Sequence, residues 1–375
     1  MRDFRQAQSG RTLVHPTILQ SQDERRHDPP SPPPPPSNNK EDSSNDSSLS
    51  KTSSSSSSIF SFVVCADTQI GMSSDNKEWE TELEYSRIAI RYINDLNPRP
   101  KFCCVCGDLC DMESTFWQNQ DNVEDDDDVV FTKEQCDQIQ EQQRKDFQMT
   151  WSALHEDIAL VCLCGNHDIG NRPTKESIDS FQQHFGDDYF SFWSTKHSYN
   201  IVINSTLFSN PSGAPDLYQQ QFQWLEEQLR YARSQNQTTT TTTTTSIFVF
   251  GHHPWFLYTE TEDADSMTGV SPYKQWTFPD HYFHIPKERR MPVMDLFRKY
   301  GVTAAFSGHF HQNMVSESSF GMKMIVTSSL SDVMNSTGKP NDLDELNTRG
   351  LRIVTVNDTD GSFRHKFVSL PERAI

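Results

Sequence analysis

The sequence has no long hydrophobic run and a shortage of basic residues. Its longest apolar stretches, such as residues 59–66, are far too short to cross a membrane, and residues 1–10 lack the apolar segment of a secretory signal. Lysine and arginine number 33 against 52 aspartates and glutamates, which gives a formal charge of −19. Nucleic-acid binding needs basic side chains that displace counterions, so we expect no nucleic-acid partner. The shortness of the apolar stretches leads us to expect no membrane partner.

The first 58 residues are poor in apolar side chains and become proline-rich and then serine-rich. Such a segment cannot bury enough surface to offset the entropy lost on ordering. We predict a disordered tail at 1–58 and one large domain at 59–370. An acidic run and a threonine run predict surface insertions in that domain, near 112–133 and at 235–245.

All eight cysteines lie between Cys65 and Cys164. One interpretation is a zinc site, but C-x-C spacing on a strand does not match the usual zinc knuckles. The interpretation we prefer is reduced thiols packed as small hydrophobic groups, which is typical of the reducing cytoplasm. We therefore expect a cytoplasmic protein.

Short apolar runs bounded by polar or turn residues alternate with helical patterns. The runs have the length and the Val, Ile, Phe and Cys content of buried strands, so the alternation predicts a layered α/β fold. Consecutive strands after Thr303 predict that a second sheet lies there. The predicted strands are 59–66, 102–106, 158–164, 199–204, 247–250, 302–306, 322–327, 351–356 and 363–368, and helical stripes occupy 85–96, 147–154 and 222–232.

Five of these strands are followed at once by Asp, Asn or His. Ligands bind at the carboxyl edge of open α/β sheets, and the adjacent glycines allow sharp turns there. Oxygen and imidazole donors together suit divalent ions such as Mn, Fe, Zn or Co, so the set predicts one metal centre. The motifs are Asp67-Thr68-Gln69, Gly107-Asp108-Leu109-Cys110-Asp111, Gly165-Asn166-His167-Asp168, Gly251-His252-His253 and Gly308-His309-Phe310-His311.

This order of motifs resembles the calcineurin-like phosphoesterase superfamily, whose pattern is D-x-H, G-D-x-x-D, G-N-H-[DE], a later His and G-H-x-H. The resemblance runs from Phe60 to about Val368 and implies a four-layer αββα fold, with two packed mixed β-sheets flanked by helices. It is closer still to the calcineurin-like phosphoesterase domain-containing serine/threonine protein phosphatases. The segments that carry this closer likeness are 66–69, 165–174, 185–193, 203–205, 223–229 and 306–313.

The resemblance implies a centre of two divalent ions, Mn, Fe, Zn or Mg, which hydrolyses phosphate monoesters through a metal-activated hydroxide. His167 is expected to protonate or stabilise the leaving alkoxide, with Asp168 orienting its ring, and Asp111 is expected to support the Asp108 loop. The absence of a Ser-His-Asp or Cys-x5-Arg arrangement agrees with a reaction that has no covalent intermediate. The implied metal ligands are Asp108 as the bridge, with Asp67, His311 and Gln69 on one ion and Asn166, His252 and His309 on the other.

Two positions leave alternatives open. Gln69 stands where most of the superfamily has histidine, so that ion is expected to bind more loosely and to be a harder ion such as Mn or Mg, unless Gln69 does not ligate at all. Arg172 either holds a substrate phosphate through its fork of donors or lies on the surface. The aromatic-rich segment 255–290 either forms part of the substrate rim or packs in the core.

The function we prefer on these grounds is a metal-dependent serine/threonine protein phosphatase that acts on a phosphoprotein. One alternative is a phosphodiesterase or nucleotidase acting on a small phosphate ester. Another is a catalytically silent scaffold, but Asp108, Asn166 and His167 are all intact and argue against it.

Overall fold

A computed structural model describes residues 59–112, 131–234, 245–263, 282–331 and 348–371. The predicted tail at 1–58 lies outside the described residues, as do most of the two predicted insertions and the middle of the segment 255–290.

Within these ranges the chain forms eleven strands and seven α-helices. The strands are β1 Ile59–Cys65, β2 Phe102–Cys106, β3 Ala159–Leu163, β4 Phe190–Thr195, β5 Ser198–Val202, β6 Ser246–Phe250, β7 Ala304–Ser307, β8 Met314–Glu317, β9 Lys323–Val326, β10 Gly350–Asn357 and β11 Phe363–Ser369. The helices are α1 Glu80–Asn94, α2 Lys133–Trp151, α3 Asn166–Ile169, α4 Lys175–Phe185, α5 Ser205–Ser209, α6 Pro215–Ser234 and α7 Lys287–Tyr300.

The strands form two mixed sheets. The first has the order β11-β10-β1-β2-β3, with β1, β2 and β3 parallel and β10 and β11 antiparallel additions. The second has the order β4-β5-β6-β7-β9-β8, with four parallel central strands and an antiparallel strand at each edge. The parallel strands β2, β3, β5 and β6 are buried along their whole length, because both of their faces are covered.

The two sheets pack face to face around a core rich in phenylalanine. Phe62 and Phe102 stack with ring centroids 4.7 Å apart, and Phe62 meets Phe250 and Phe306 edge-on at 5.7 and 5.6 Å. A second core lies between the first sheet and helices α1, α2 and α4, and a third between the second sheet and helices α6 and α7. Helix, sheet, sheet and helix thus form four layers, which confirms the predicted fold class.

Local sequence explains where two of the helices begin and end. Thr132 accepts a hydrogen bond from the Gln135 N–H while the Gln135 side chain accepts one from the Thr132 N–H, a capping box that starts α2. Helix α7 ends at Gly301, which has a φ of 62°. Within the described ranges, no helix is long and apolar enough to span a bilayer.

The prediction of a second sheet after Thr303 holds for β9 and is wrong for the last two strands. Strand β9 does join β7 in the second sheet, but β10 pairs with β1, so that Phe62 lies opposite Val354, and β11 extends the first sheet. The sequence pattern also missed β4 and β8, the two edge strands of the second sheet. All eight cysteines are buried and none forms a disulfide, as expected of thiols packed in the core.

Candidate metal centre

The carboxyl ends of parallel strands from both sheets meet at one edge of the molecule. The first sheet places Asp67 after β1, Asp108 after β2 and Asn166 after β3, and the second places His252 after β6 and His309 after β7. None of these five side chains is more than 3% exposed. Buried carboxylates and imidazoles need partners or a cation, so their grouping calls for a chemical explanation.

Four ligand atoms converge on one point of this edge. His252 Nε2 lies 3.0 Å from Asn166 Oδ1, 3.1 Å from Asp108 Oδ2 and 3.1 Å from His309 Nδ1. Asp108, His252 and His309 together form a group able to hold a metal ion. We refer to Asn166, His252 and His309 as the Asn166 half of the site, with Asp108 on its border.

Backbone carbonyls decide which ring nitrogens face the centre. His252 Nδ1 lies 2.8 Å from the Cys106 carbonyl, and His309 Nε2 lies 2.7 Å from the Tyr282 carbonyl. A carbonyl only accepts, so each of these nitrogens carries the proton and donates it. His252 Nε2 and His309 Nδ1 therefore point at the centre as the ligating nitrogens, an arrangement common in metal sites.

The pKa values of His252, His309 and Asp108 follow from burial and from the charges of their neighbours. Burial would lower the pKa of His252, but the Asp108 carboxylate raises it to about 9. Burial and the charge of His252 lower the pKa of His309 to about 3, and the three neighbouring histidines, against burial, hold that of Asp108 well below its usual range. A divalent cation would replace the proton on His252 Nε2 and meet all four ligand atoms, so these residues fit a metal ion.

Asp67, Gln69 and His311 form a neighbouring group, which we call the Asp67 half. His311 Nε2 is 3.5 Å from Asp67 Oδ1, and the Asp67 carboxylate accepts the His309 N–H at 3.0 and 3.1 Å. Gln69 Nε2 reaches Asp108 Oδ2 at 3.5 Å, while its buried Oε1 has no hydrogen-bond partner among the described residues. A buried amide oxygen left without a hydrogen-bond partner is itself suited to a cation.

Backbone strain is concentrated at the predicted ligands. Among the described residues, seven non-glycine residues have a positive φ, and five of them are predicted metal ligands. Such conformations are uncommon for side-chain-bearing residues, and they persist at functional sites where the surrounding structure enforces them. Gly165 shows how tight the turns are, because an added Cβ there would clash with Asp108. The five ligands are Asp67, Gln69, Asp108, His309 and His311, with φ between 31° and 67°.

His167 stands at the entrance of the centre, and its partner is not the residue that the sequence suggested. Its Nδ1 lies 3.1 Å from Asp111 Oδ1 and 3.2 Å from the Asp111 carbonyl, so Nδ1 donates to Asp111. Asp168 instead accepts the backbone N–H groups of Leu109, Cys110 and Gly165 at 2.8 to 3.3 Å. The prediction that Asp168 orients the His167 ring is therefore corrected: Asp111 orients the ring, and Asp168 ties the two ligand loops together.

The electrostatic surroundings of this pair match their hydrogen bonds. Burial opposes the charge on His167, but Asp108 and Asp111 raise the pKa of its ring well above the usual value. Burial together with the charge of Asp108 raises the pKa of Asp168 to about 7, despite its three backbone donors. The side chain of His167 remains 27% exposed, so a substrate can reach it.

Tyr282 is a site residue that sequence reasoning did not single out. Its hydroxyl accepts a hydrogen bond from Asn166 Nδ2 at 3.3 Å, and this turns Asn166 Oδ1 towards the centre. Its carbonyl fixes the His309 ring, and its own ring lies 4.8 Å from that of His309. The available signal was its place in the aromatic-rich segment 255–290, of which residues 264–281 lie outside the described ranges.

Two other residues of the sequence motifs, Ser205 and Arg172, contact backbone groups outside the set of predicted ligand atoms. Ser205, part of the 203–205 motif, accepts the N–H groups of both His252 and His253 at 2.8 Å and so holds the turn after β6. Arg172 is exposed and donates to the Ser212 carbonyl at 3.5 Å. Of its two interpretations, a surface residue resting on the turn of residues 211–213 agrees with this contact.

Comparison with known proteins identifies the family of this chain. The family model described as calcineurin-like phosphoesterase matches residues 60–313. The chain belongs to this family. As a calcineurin-like phosphoesterase it is a hydrolase of phosphate esters, and the family's use of divalent metal ions agrees with the group formed by Asp108, His252 and His309.

Full-length relatives support the same assignment. The human serine/threonine-protein phosphatase CPPED1 is 33% identical over 323 residues, which cover 84% of each chain. The CPPED1 of Danio rerio is 30% identical over 322 residues, covering 84% of this phosphoesterase and 85% of that one.

Solved structures of metallophosphatases also resemble the phosphoesterase. A dimetal phosphatase from Danio rerio aligns with a TM-score of 0.49 and 12% identity, over 83% of this chain and 99% of that one. The purple acid phosphatase PPD1 from yellow lupin aligns with a TM-score of 0.49 and 13% identity, over 84% and 54%. Membership of the family rests on the sequence matches.

Proposed function

We propose that this phosphoesterase is a serine/threonine protein phosphatase that removes phosphate from phosphoproteins with two divalent metal ions, the ion beside Gln69 being Mn or Mg. The CPPED1 relatives, which carry that name and match along most of the chain, support the substrate class. Asp108 borders both halves of the site, which supports the number of ions.

The observation that carries the proposal is the convergence of four ligand atoms. Asn166 Oδ1, Asp108 Oδ2 and His309 Nδ1 all lie within 3.1 Å of the fourth, His252 Nε2. Both imidazoles are turned towards this point by backbone carbonyls, so the arrangement does not depend on flexible side chains. Preorganised donors of this kind bind a metal with little loss of conformational entropy.

We assign three ligands to each ion and share Asp108 between the two. Asn166, His252 and His309 would hold one ion, Asp67, His311 and the Gln69 amide oxygen the other, and Asp108 would bridge them. When bound, the ions supply Lewis acidity and an activated water for hydrolysis of the ester. The chain itself supplies the fixed ligand geometry and keeps water from the ligand side chains, because these are almost completely buried.

His167 is proposed as the general acid for the leaving group. Its Nδ1 proton is committed to Asp111, so the free Nε2 is the nitrogen that can deliver a proton. Serine and threonine leave as alkoxides, which are poor leaving groups unless a proton meets them. Against burial, Asp108 and Asp111 raise the pKa of the His167 ring, which favours its protonated form and supports this role.

The test is release of phosphate from a phosphoserine peptide by the full chain. Chelator-stripped protein is compared with the same sample reloaded with Mn, and with a reloaded Asp108→Asn variant. We expect release only after reloading, and a loss of at least about 10³-fold in the variant, because both ions lose a ligand. Asp179→Asn, an exposed carboxylate paired with Lys175, serves as the matched control and keeps full activity.

Two other results have different meanings. Release from a phosphodiester or a nucleotide but not from the peptide would replace the protein substrate with a small phosphate ester. Metal binding without release from any ester would refute the proposed catalytic function and favour a scaffold.

A further inference from the structure

A chain of buried amides connects helix α2 to the carboxylate behind His167. Asn76 Nδ2 donates to Asp111 Oδ2 at 2.7 Å, and Gln143 Nε2 donates to Asn76 Oδ1 at 2.6 Å. Gln143 Oε1 in turn accepts the Met112 N–H at 3.0 Å. Asn76 is 4% exposed and Gln143 is fully buried, so water does not compete for these bonds.

Every group in this chain points the same way. The Met112 N–H fixes the oxygen end of Gln143, which leaves the Gln143 amino group to donate to the oxygen of Asn76. The amino group of Asn76 then faces Asp111, whose other carboxylate oxygen faces His167 Nδ1. Hydrogen bonds aligned in this manner polarise one another, and they end on the carboxylate that turns the His167 ring.

The backbone is shaped around these two amides. Asn76 has a φ of 62°, a conformation that asparagine tolerates better than most residues. Gly71 has a φ of 113°, and an added Cβ there would lie 2.6 Å from Asn76 Oδ1 and would clash with Gln143 Nε2. The turn at residues 71–76 is thus formed so that the amides of Asn76 and Gln143 can meet.

We propose that Asn76 and Gln143 are positioning residues for catalysis, which hold Asp111 and through it the His167 ring in the orientation that delivers a proton to the leaving group. The inference rests on the proposed function, in which His167 is the general acid. It deepens that function by assigning a structural cause to the ring orientation outside the ligand motifs.

The leaving group provides a readout that a purely structural role would not move. A serine alkoxide needs the proton from His167, whereas an aryl phosphate with an acidic phenol leaves without it. Loss of ring orientation should therefore slow hydrolysis of the peptide and spare that of the aryl ester. Loss of fold or of metal would slow both equally.

The first variant is Asn76→Gly, which keeps the positive φ accessible and removes only the amide. We expect kcat for a phosphoserine peptide to fall about tenfold with KM unchanged, and kcat for the aryl phosphate to change less than about twofold. Gln143→Glu removes the donor to Asn76 but keeps the acceptor for Met112, and should act in the same direction with a smaller effect. Gln142→Glu on the exposed face of the same helix, where the amide donates to Asp146, is the matched control and should change neither rate.

A double-mutant cycle tests whether Asn76 affects catalysis through Asp111 or independently of it. In an Asp111→Asn background, Asn76→Gly should cause no further loss on the peptide, because the hydrogen bonds between described residues lead from Asn76 to His167 through Asp111. Equal losses on both esters, no loss on either, or an additive loss in that background would overturn the proposal. Should Asn76→Gly fail to fold, Gln143→Glu is judged by the same criteria.

The result also distinguishes this inference from the proposed function. A Mn-loaded wild type that releases phosphate from neither ester would refute the proposed function. A wild type active on both esters, with variants that show no leaving-group dependence, would refute only the positioning role of Asn76 and Gln143.

Discussion

The Asn166 half and the Asp67 half of the centre differ in how closely their ligand atoms approach one another. In the Asn166 half, ligand atoms lie 3.0 to 3.1 Å apart and each ring is oriented by a backbone carbonyl. In the Asp67 half, His311 and Asp67 are 3.5 Å apart and Gln69 Oε1 has no partner among the described residues. Under the proposed function, we therefore expect the Asn166 half to bind its ion more tightly than the Asp67 half.

Removing one imidazole from each half should expose this difference most strongly. We expect His309→Ala to lower kcat about 10³-fold without recovery in excess Mn, and His311→Ala to lower it about tenfold with recovery at high Mn. Metal content per chain and activity against Mn concentration are the measurements, with His155→Ala, a partly exposed histidine that pairs with Asp157, as the control. Equal losses and equal recovery would contradict the distinction between the halves.

Tyr282→Phe tests the support of the Asn166 half. The change removes the hydroxyl that accepts from Asn166 Nδ2 but keeps the carbonyl that holds His309. We expect Mn affinity to fall about tenfold, as is usual when a group behind a ligand is lost. Tyr258→Phe, an exposed tyrosine on the same segment, is the control. An unchanged affinity, measured by calorimetry, would mean that Asn166 needs no such support.

Gln69→His sharpens the comparison from the other side. Imidazole is a stronger donor than an amide oxygen for Mn or Zn, so the Asp67 half should bind its ion about tenfold more tightly. Gln69→Ala should weaken the same ion by a few-fold. Titration of stripped protein with Mn checks both variants. If neither changes binding, Gln69 is not a ligand and its orphaned oxygen has another role.

Arg172→Ala should have the smallest effect. Its contact with the Ser212 carbonyl accounts for the side chain at the surface, so we expect KM for a phosphoserine peptide to change less than about twofold. Steady-state kinetics with the Mn-loaded variant measure it. A tenfold rise in KM would restore the alternative in which Arg172 holds the substrate phosphate.

The position of the centre could be predicted because strand ends are local features. Each of Asp67, Asp108, Asn166, His252 and His309 follows a short buried run, and parallel strands bring their carboxyl ends to one edge. Strand pairing is not local, so the pattern after Thr303 did not reveal that β10 crosses back to β1. Strand β8 was missed because its burial alternates over only four residues at a sheet edge.

The partner of His167 could not be predicted from adjacency. His167 and Asp168 are consecutive in the helical turn α3, and consecutive residues on a helix do not face each other. Asp111, although 56 positions earlier, is brought to the ring by the loop after β2. The same reasoning explains why Asn76 and Gln143 carried no signal, since two amides separated by 67 positions become neighbours only in the fold.

The division of the ligands between the two sheets has a consequence for heat stability. Asn166 follows a strand of one sheet, and His252 and His309 follow strands of the other, so a bound ion would link two layers that already meet in an apolar core and in the hydrogen bond from His252 Nδ1 to the Cys106 carbonyl. Unfolding must release that ion, and at a free concentration of about 100 times Kd this adds about 2.7 kcal/mol to the free energy of unfolding. The melting temperature should thus rise with Mn and serve as a binding assay that needs no substrate.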